Sequence, residues 1–302
     1  MAVPPAPTRR RALTVTLATA AAVIAAPAGV AAASPAAVGR PSRPRPRSRP
    51  LRHAHAHNDY LHPRPLHDAL AHGFTSVEAD IFLVDGELLV AHDPTGLDPS
   101  RTLAGLYLEP LRALVRAGHG SVYPHHRPPL QLLIDIKADG VAAYRELDRQ
   151  LARYGSLFTR YHHGRVRPGA VTAVISGDRA ARAPMEAQRT RLAFYDGRLD
   201  DLGTASPASF TPLISANWTQ TFGWLGAGPF PRAERDRLRT LVSTAHREAR
   251  RIRFWATPDL PGPEREAVWS ELLAAGADHL NTDDLAGLER FLRARRGAPP
   301  TP

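Results

Sequence analysis

The chain of 302 residues contains no cysteine. A disulfide framework, a thiolate zinc site, a cysteine nucleophile and a lipid-bearing cysteine are all excluded. Lysine is nearly absent as well: of 39 basic residues all are Arg except one, Lys137. Acid is missing from a whole region. Residues 1–52 hold nine Arg and no Asp or Glu, so 30 basic residues face 29 acidic ones over 53–302. The formal charge of +10 therefore belongs to the N-terminal segment, and the rest is nearly neutral at +1. A basic chain with that distribution gives no indication of a nucleic-acid partner. Beyond residue 33 no apolar run approaches the length of a membrane span.

What is present at the start reads as a leader. Thr8-Arg9-Arg10-Arg11 is cationic, residues 12–28 are uncharged and rich in Ala, Val and Leu, and Ala31-Ala32-Ala33 offers small side chains for cleavage before Ser34. Residues 1–33 are expected to be a secretory signal peptide, with paired arginines compatible with twin-arginine export, and the mature protein is expected outside the cell. Pro27 and the small-residue site argue against an uncleaved anchor. Residues 34–52, rich in Pro and Arg, are expected to form an extended linker whose charge suits peripheral contact with an anionic membrane or cell wall.

Residues 53–302 have the length of a (β/α)₈ domain. Eight short apolar runs recur: His53–Asn58, Ser76–Phe82, Leu130–Ile136, Val171–Ser176, Leu192–Asp196, Leu213–Trp218, Ile252–Thr257 and His279–Thr282. Apolar residues at helical spacing predict helices over Val141–Tyr154, Arg232–Arg250 and Glu264–Ala275, while 197–211 shows no helical pattern. Asp85-Gly86 between extended runs predicts a hairpin arm over Val84–His92, after the second strand. The fold class expected is α/β, a TIM (β/α)₈ barrel with a small β-hairpin arm. A doubly wound open sheet also alternates strands and helices, but no Gly-rich loop follows the first strand.

Chemistry in such barrels collects at the C-terminal strand ends, so polar residues there stand out. Glu78 and Asp80 alternate within the second run and share one face, ~7 Å apart along the strand. Asp135 and Lys137 repeat the arrangement on the third. Carboxylates inside apolar strands repel one another and resist desolvation unless a cation compensates them. Three of them on neighbouring strands suit a hard cation, Mg²⁺ or Ca²⁺; the bland alternative is a structural ion-pair network with Lys137 or an arginine. In a composition that replaces Lys by Arg nearly everywhere, the surviving Lys137 suits a compact ammonium reaching a phosphate oxygen or a carboxylate. His57 at the end of the first strand and His92 at the end of the hairpin could act as base and acid, with Asp93 placed to orient His92. Weaker candidates for substrate contact are Trp255 and Asn281, each more often packing or capping.

His57-Asn58, Glu78-x-Asp80, His92-Asp93 and Asp135-x-Lys137 resemble the motif series of the glycerophosphodiester phosphodiesterase and phosphatidylinositol phospholipase C-like superfamily, most closely a branch with the phrase His-Asn-Asp-Tyr, here His57–Tyr60. The resemblance implies a metal-dependent phosphodiesterase acting on a phosphodiester small molecule or a phospholipid. By the same resemblance His57 and His92 are the acid–base pair, Glu78, Asp80 and Asp135 hold the divalent cation, and Lys137 helps bind phosphate, with Asn58 beside His57 a candidate for substrate contact. Asn58 stands where the glycerophosphodiesterases usually carry Arg, and Asp135-x-Lys137 is more similar to sphingomyelinase D-type phospholipases. Two other readings fit part of the pattern. His55-x-His57 suits a zinc amidohydrolase-like hydrolase, which needs further histidines on the middle strands, and a non-catalytic barrel binding lipid head groups or glycans needs none of the acid–base set.

Overall fold

The computed structural model describes residues 49–296. The expected leader, and the linker up to residue 48, lie outside the described residues. The first strand, β1 (Leu51–Ala56), begins inside the segment expected as linker, because Leu51 is an apolar anchor with no exposed surface. The remaining strands are β2 (Phe74–Val84), β3 (Glu87–Val90), β4 (Leu130–Ile136), β5 (Arg160–His162), β6 (Arg165–Arg167), β7 (Val171–Gly177), β8 (Thr190–Arg191), β9 (Ala193–Gly197), β10 (Leu213–Asn217), β11 (Arg251–Trp255) and β12 (His279–Thr282).

Eight of these close into a parallel barrel in the order β1, β2, β4, β7, β9, β10, β11, β12 and back to β1. All eight expected runs are barrel strands. The hairpin is also as expected: β3 pairs antiparallel with β2 through Asp85 and Gly86, whose φ of 48° and 84° are the left-handed pair that a two-residue turn demands. The small sheet formed by β5, β6 and β8 was not foreseen; these strands are two or three residues long and carry no apolar alternation.

Helices ring the barrel: α1 (His67–Ala71), α2 (Glu109–Ala117), α3 (Gly140–Ala152), α4 (Arg182–Glu186), α5 (Trp218–Thr221), α6 (Arg232–Arg247), α7 (Pro263–Ala275) and α8 (Leu285–Arg296). The three helices expected from spacing are α3, α6 and α7, with ends that differ by at most three residues. Between β9 and β10 there is only a single turn at Leu199–Asp201, so this flank lacks the usual covering helix.

Alternation decides what the strands bury. On β2, Val77, Ala79 and Ile81 join the main core under the helices, and on β4 so do Leu132, Ile134 and Ile136. The intervening Ser76, Glu78 and Asp80, and Gln131, Leu133 and Asp135, must then face the lumen. There the apolar filling is small: Leu133, Val174 and Leu213 form a separate cluster. The rest of the lumen is polar, and polar groups in a closed barrel must satisfy one another.

Gly177 closes β7 beside the third strand of the ring. Its φ is +80°, and a Cβ there would lie 2.2 Å from the Ile136 carbonyl and 2.6 Å from Asp135 Oδ1. The Gly177→Ala variant is expected to lose about 2 kcal/mol or more of stability from left-handed strain and that clash, read by urea denaturation.

Candidate active site

Asp80 and Asp135 are register partners on adjacent strands, which puts their carboxylates level at the C-terminal mouth. One oxygen each from Glu78, Asp80 and Asp135 lies within 4.8 Å of the others, and this is the one such group of potential metal ligands among the described residues. Glu78 and Asp80 are buried and Asp135 is half-buried.

Two cations offset part of this charge. Arg253 reaches across the lumen from β11 and donates through Nη1 to Glu78 Oε2 at 2.9 Å, while its Nε donates to Ser215 Oγ at 2.8 Å. Lys137 Nζ lies 2.8 Å from Asp80 Oδ2 and 3.2 Å from Asp135 Oδ1. Burial alone would raise Glu78, but the Arg253 charge and the His55 hydrogen bond outweigh it and hold that carboxyl well below its usual range. Asp80 is shifted the other way, upward, by burial and the neighbouring Glu78 charge, against the pull of Lys137. Burial pushes Asp135 up to about 6; Lys137 opposes the rise, and the negative charges of Glu78 and Asp80 add to it.

His55 is the lumen's fully buried imidazole. Burial drops its pKa to about 4, so at neutral pH it is uncharged and its Nε2 proton goes to Glu78 Oε2 at 2.9 Å. Its Nδ1 accepts from Ser76 Oγ at 2.6 Å, and Gln131 Nε2 donates to the same hydroxyl at 2.8 Å. With both ring nitrogens engaged, His55 is not free to join His57 on a zinc ion.

The mouth imidazoles are held alike. His57 Nδ1 donates to Asp283 Oδ1 at 2.9 Å. His92 Nδ1 lies 3.2 Å from Asp80 Oδ2 and 3.1 Å from the Tyr60 hydroxyl. In both rings Nε2 takes no hydrogen bond from the described residues. Burial works to lower the His57 pKa, yet the Asp283 hydrogen bond and the Glu78 and Asp283 charges prevail, leaving it raised above 6.5. The expected role of Asp93 is not observed. Its carboxylate accepts from the Thr95 backbone and hydroxyl, capping the turn after the hairpin. Short-range capping within two residues outcompetes a reach back to the ring.

Tyr60 ties the two sides together. Its hydroxyl lies 2.5 Å from Asp80 Oδ2, to which it donates, and 2.7 Å from Asn58 Oδ1. The Asn58 amide nitrogen in turn lies 3.0 Å from His57 Nδ1 and 3.3 Å from Asp283 Oδ2. The loop carrying these residues is pinned by buried Asp59, whose Oδ2 accepts from the Leu66 backbone at 2.6 Å and the Tyr107 hydroxyl at 2.9 Å.

Of the expected residues, Asp80, Asp135, Lys137, Asn58, His57 and His92 gather at the mouth with Glu78, whose own partners are His55 and Arg253 and which joins them by its place within 4.8 Å of the Asp80 and Asp135 oxygens. Asn281 lines a recess of about 100 Å³ with His57 and Asp283; it is buried, and neither its Oδ1 nor its Nδ2 has a partner. Trp255 is half-buried at the end of β11, on the face of Arg253, and makes no hydrogen bond or ring contact with the network among the described residues. Arg253, Asp283 and Tyr60 went unassigned in the sequence. The usable signal was a charged residue inside an apolar strand for Arg253, and the phrase His57–Tyr60 for the phenol.

Fold and mouth define a (β/α)₈ barrel with a carboxylate cluster flanked by two carboxylate-anchored imidazoles. A model of the AIM6-like phosphodiesterase domain matches residues 49–196, and one of the glycerophosphoryl diester phosphodiesterase family matches 251–286. The altered inheritance of mitochondria protein 6 of Eremothecium gossypii is 30% identical over 274 residues, covering 80% of this chain and 69% of that protein. Its homologue in Arthroderma benhamiae is 29% identical over 255 residues, covering 76% and 81%. The chain belongs to the altered inheritance of mitochondria protein 6 family, within the glycerophosphodiester phosphodiesterase-like superfamily.

Replacing Asp283 by Asn keeps an amide oxygen that can accept from His57 but removes the charge that helps to raise it. The His57 midpoint is expected to fall in Asp283→Asn relative to the wild type, followed by NMR of the imidazole Cε1 proton. An unmoved midpoint would refute the anchoring role.

Proposed function

We propose that this chain is a secreted, divalent-cation-dependent phosphodiesterase that cleaves a glycerophosphodiester or a phospholipid head group, with His57 and His92 as the acid–base pair. The observation that carries the reading is the carboxylate trio lying between two imidazoles whose Nε2 atoms are both unengaged. The phosphodiesterase-like family models over both halves of the barrel support the reaction class.

The donor set fits a hard cation. Glu78, Asp80 and Asp135 offer oxygen only, Asp80 Oδ1 is buried with no partner, and Lys137 and Arg253 leave one of three negative charges uncompensated. Mg²⁺ or Ca²⁺ bound by these three residues would draw negative charge from a non-bridging phosphoryl oxygen. Lys137 is placed to share that task as a point charge. One imidazole takes a proton at Nε2 from the attacking hydroxyl, either water or a neighbouring hydroxyl of the substrate. As that oxygen bonds to phosphorus, the other imidazole gives its Nε2 proton to the departing alkoxide. Asp283 on one side and Asp80 with Tyr60 on the other hold the Nδ1 edges, so both rings keep the Nε2 edge for these transfers.

Each acid–base role contributes about 10²–10⁴ in rate, so His57→Ala and His92→Ala should each lose that much turnover with unchanged thermal unfolding. Activity of residues 34–302 on a panel of glycerophosphodiesters and phospholipids is expected to vanish on chelation and return with Mg²⁺ or Ca²⁺. Full turnover in either variant removes that histidine from the mechanism, and full turnover after chelation removes the cation.

A further inference from the structure

The flank of the barrel without a helix, between β9 and β10, holds a cleft of about 500 Å³ away from the mouth network. Its lining includes Arg191, Pro207, Ser209 and Phe210 and two acids, Glu186 and Asp201. Arg191 is 4% exposed, and its guanidinium is stacked 3.9 Å from the Tyr161 ring centroid and 5.0 Å from that of Phe210. Its Nη2 donates to the Ser209 carbonyl, and its Nε has no partner.

What sets Arg191 apart is its missing counter-charge. Four arginines are buried among the described residues: Arg191, Arg250, Arg253 and Arg265. The other three each lie within 4 Å of a carboxylate, on Glu248, Glu78 and Asp284 respectively. Arg191 has none. Arg182, on the same cleft, is satisfied by Asp201 and Glu186. A buried cation without an acid is costly, and a stacked guanidinium is a pre-oriented fork for a planar or tetrahedral oxyanion.

We propose that this flank cleft is a binding site for a small organic oxyanion. The phosphate or carboxylate group sits on the Arg191 guanidinium, and the apolar part lies along Phe210 and Pro207. The site is separate from the mouth and does not depend on the reaction assigned there.

Calorimetric titration of the chelator-treated protein with phenyl phosphate, benzoate and, as a cationic control, benzylamine tests it. Saturable binding of one or both anions and none of benzylamine is expected, and the ratio of the two anions tells phosphate from carboxylate. Affinity should persist in Lys137→Met, which disables the phosphate contact at the mouth, and fall about tenfold or more in Arg191→Met. Ser209→Asp, which puts an acid at the residue Arg191 already touches, should abolish binding and raise the melting temperature; this variant keeps the test open if Arg191→Met does not fold. No saturable binding to the wild type, equal affinity in both cleft variants, or loss of binding in Lys137→Met would overturn the proposal.

Discussion

Glu78 is a carboxylate placed where water cannot solvate it, and the lumen is organised around that burden. An uncompensated buried charge costs several kcal/mol. Arg253 comes from the opposite wall to meet it, and Ser215 holds Arg253 in place. His55, kept neutral by burial, donates its one ring proton to the same oxygen. Asp80 and Asp135 sit one step nearer the mouth, where Lys137 bridges them but leaves the trio short of neutrality. Burial first, and the neighbouring negative charges after it, raise Asp80 and Asp135, and the Glu78 charge adds to the rise of His57 that the Asp283 hydrogen bond leads.

Support for the mouth comes from elements far apart in the chain. The loop after β1 supplies His57, Asn58 and Tyr60; β2 and β4 supply the acids and Lys137; the hairpin brings His92; and the residue after β12 supplies Asp283. Tyr60 and Asn58 stand between the two histidine sides: the Tyr60 hydroxyl donates to Asp80 and lies 2.7 Å from Asn58 Oδ1, and the Asn58 amide nitrogen lies 3.0 Å from His57 Nδ1. Such a network keeps ring orientations in register only when every member is satisfied. Asp80 Oδ1 and both polar atoms of Asn281 are buried without a partner among the described residues, and Asn281 opens on the recess it shares with His57.

A strand that buries both faces reads as a short, nearly continuous apolar run, so the eight barrel strands were legible in the residues, as was the hairpin turn at Asp85 and Gly86. The acids and Lys137 were legible for the same reason, since Glu78, Asp80 and Asp135 interrupt those runs. Asp283 was hidden because it follows a strand in a stretch where Asp is an ordinary helix-capping residue. Arg253 was hidden because one arginine among 38 carries little weight until its partner is known. Asp93 misled, since adjacency to His92 in the chain suggested a contact that a local turn had already claimed.

Composition and periodicity by themselves determined that this chain forms a near-neutral (β/α)₈ body without thiol chemistry, carrying acids on its second and third barrel strands. They do so because patterning is a one-dimensional property, set by which side chains can enter an apolar layer. Only the closed barrel decided which charges meet. Closure brings β11 opposite β2 and puts the residue after β12 beside the end of β1, and it leaves one flank without a helix. Partners separated by 175 residues in the chain, as Glu78 and Arg253 are, become neighbours through the lumen, and no local pattern encodes that distance.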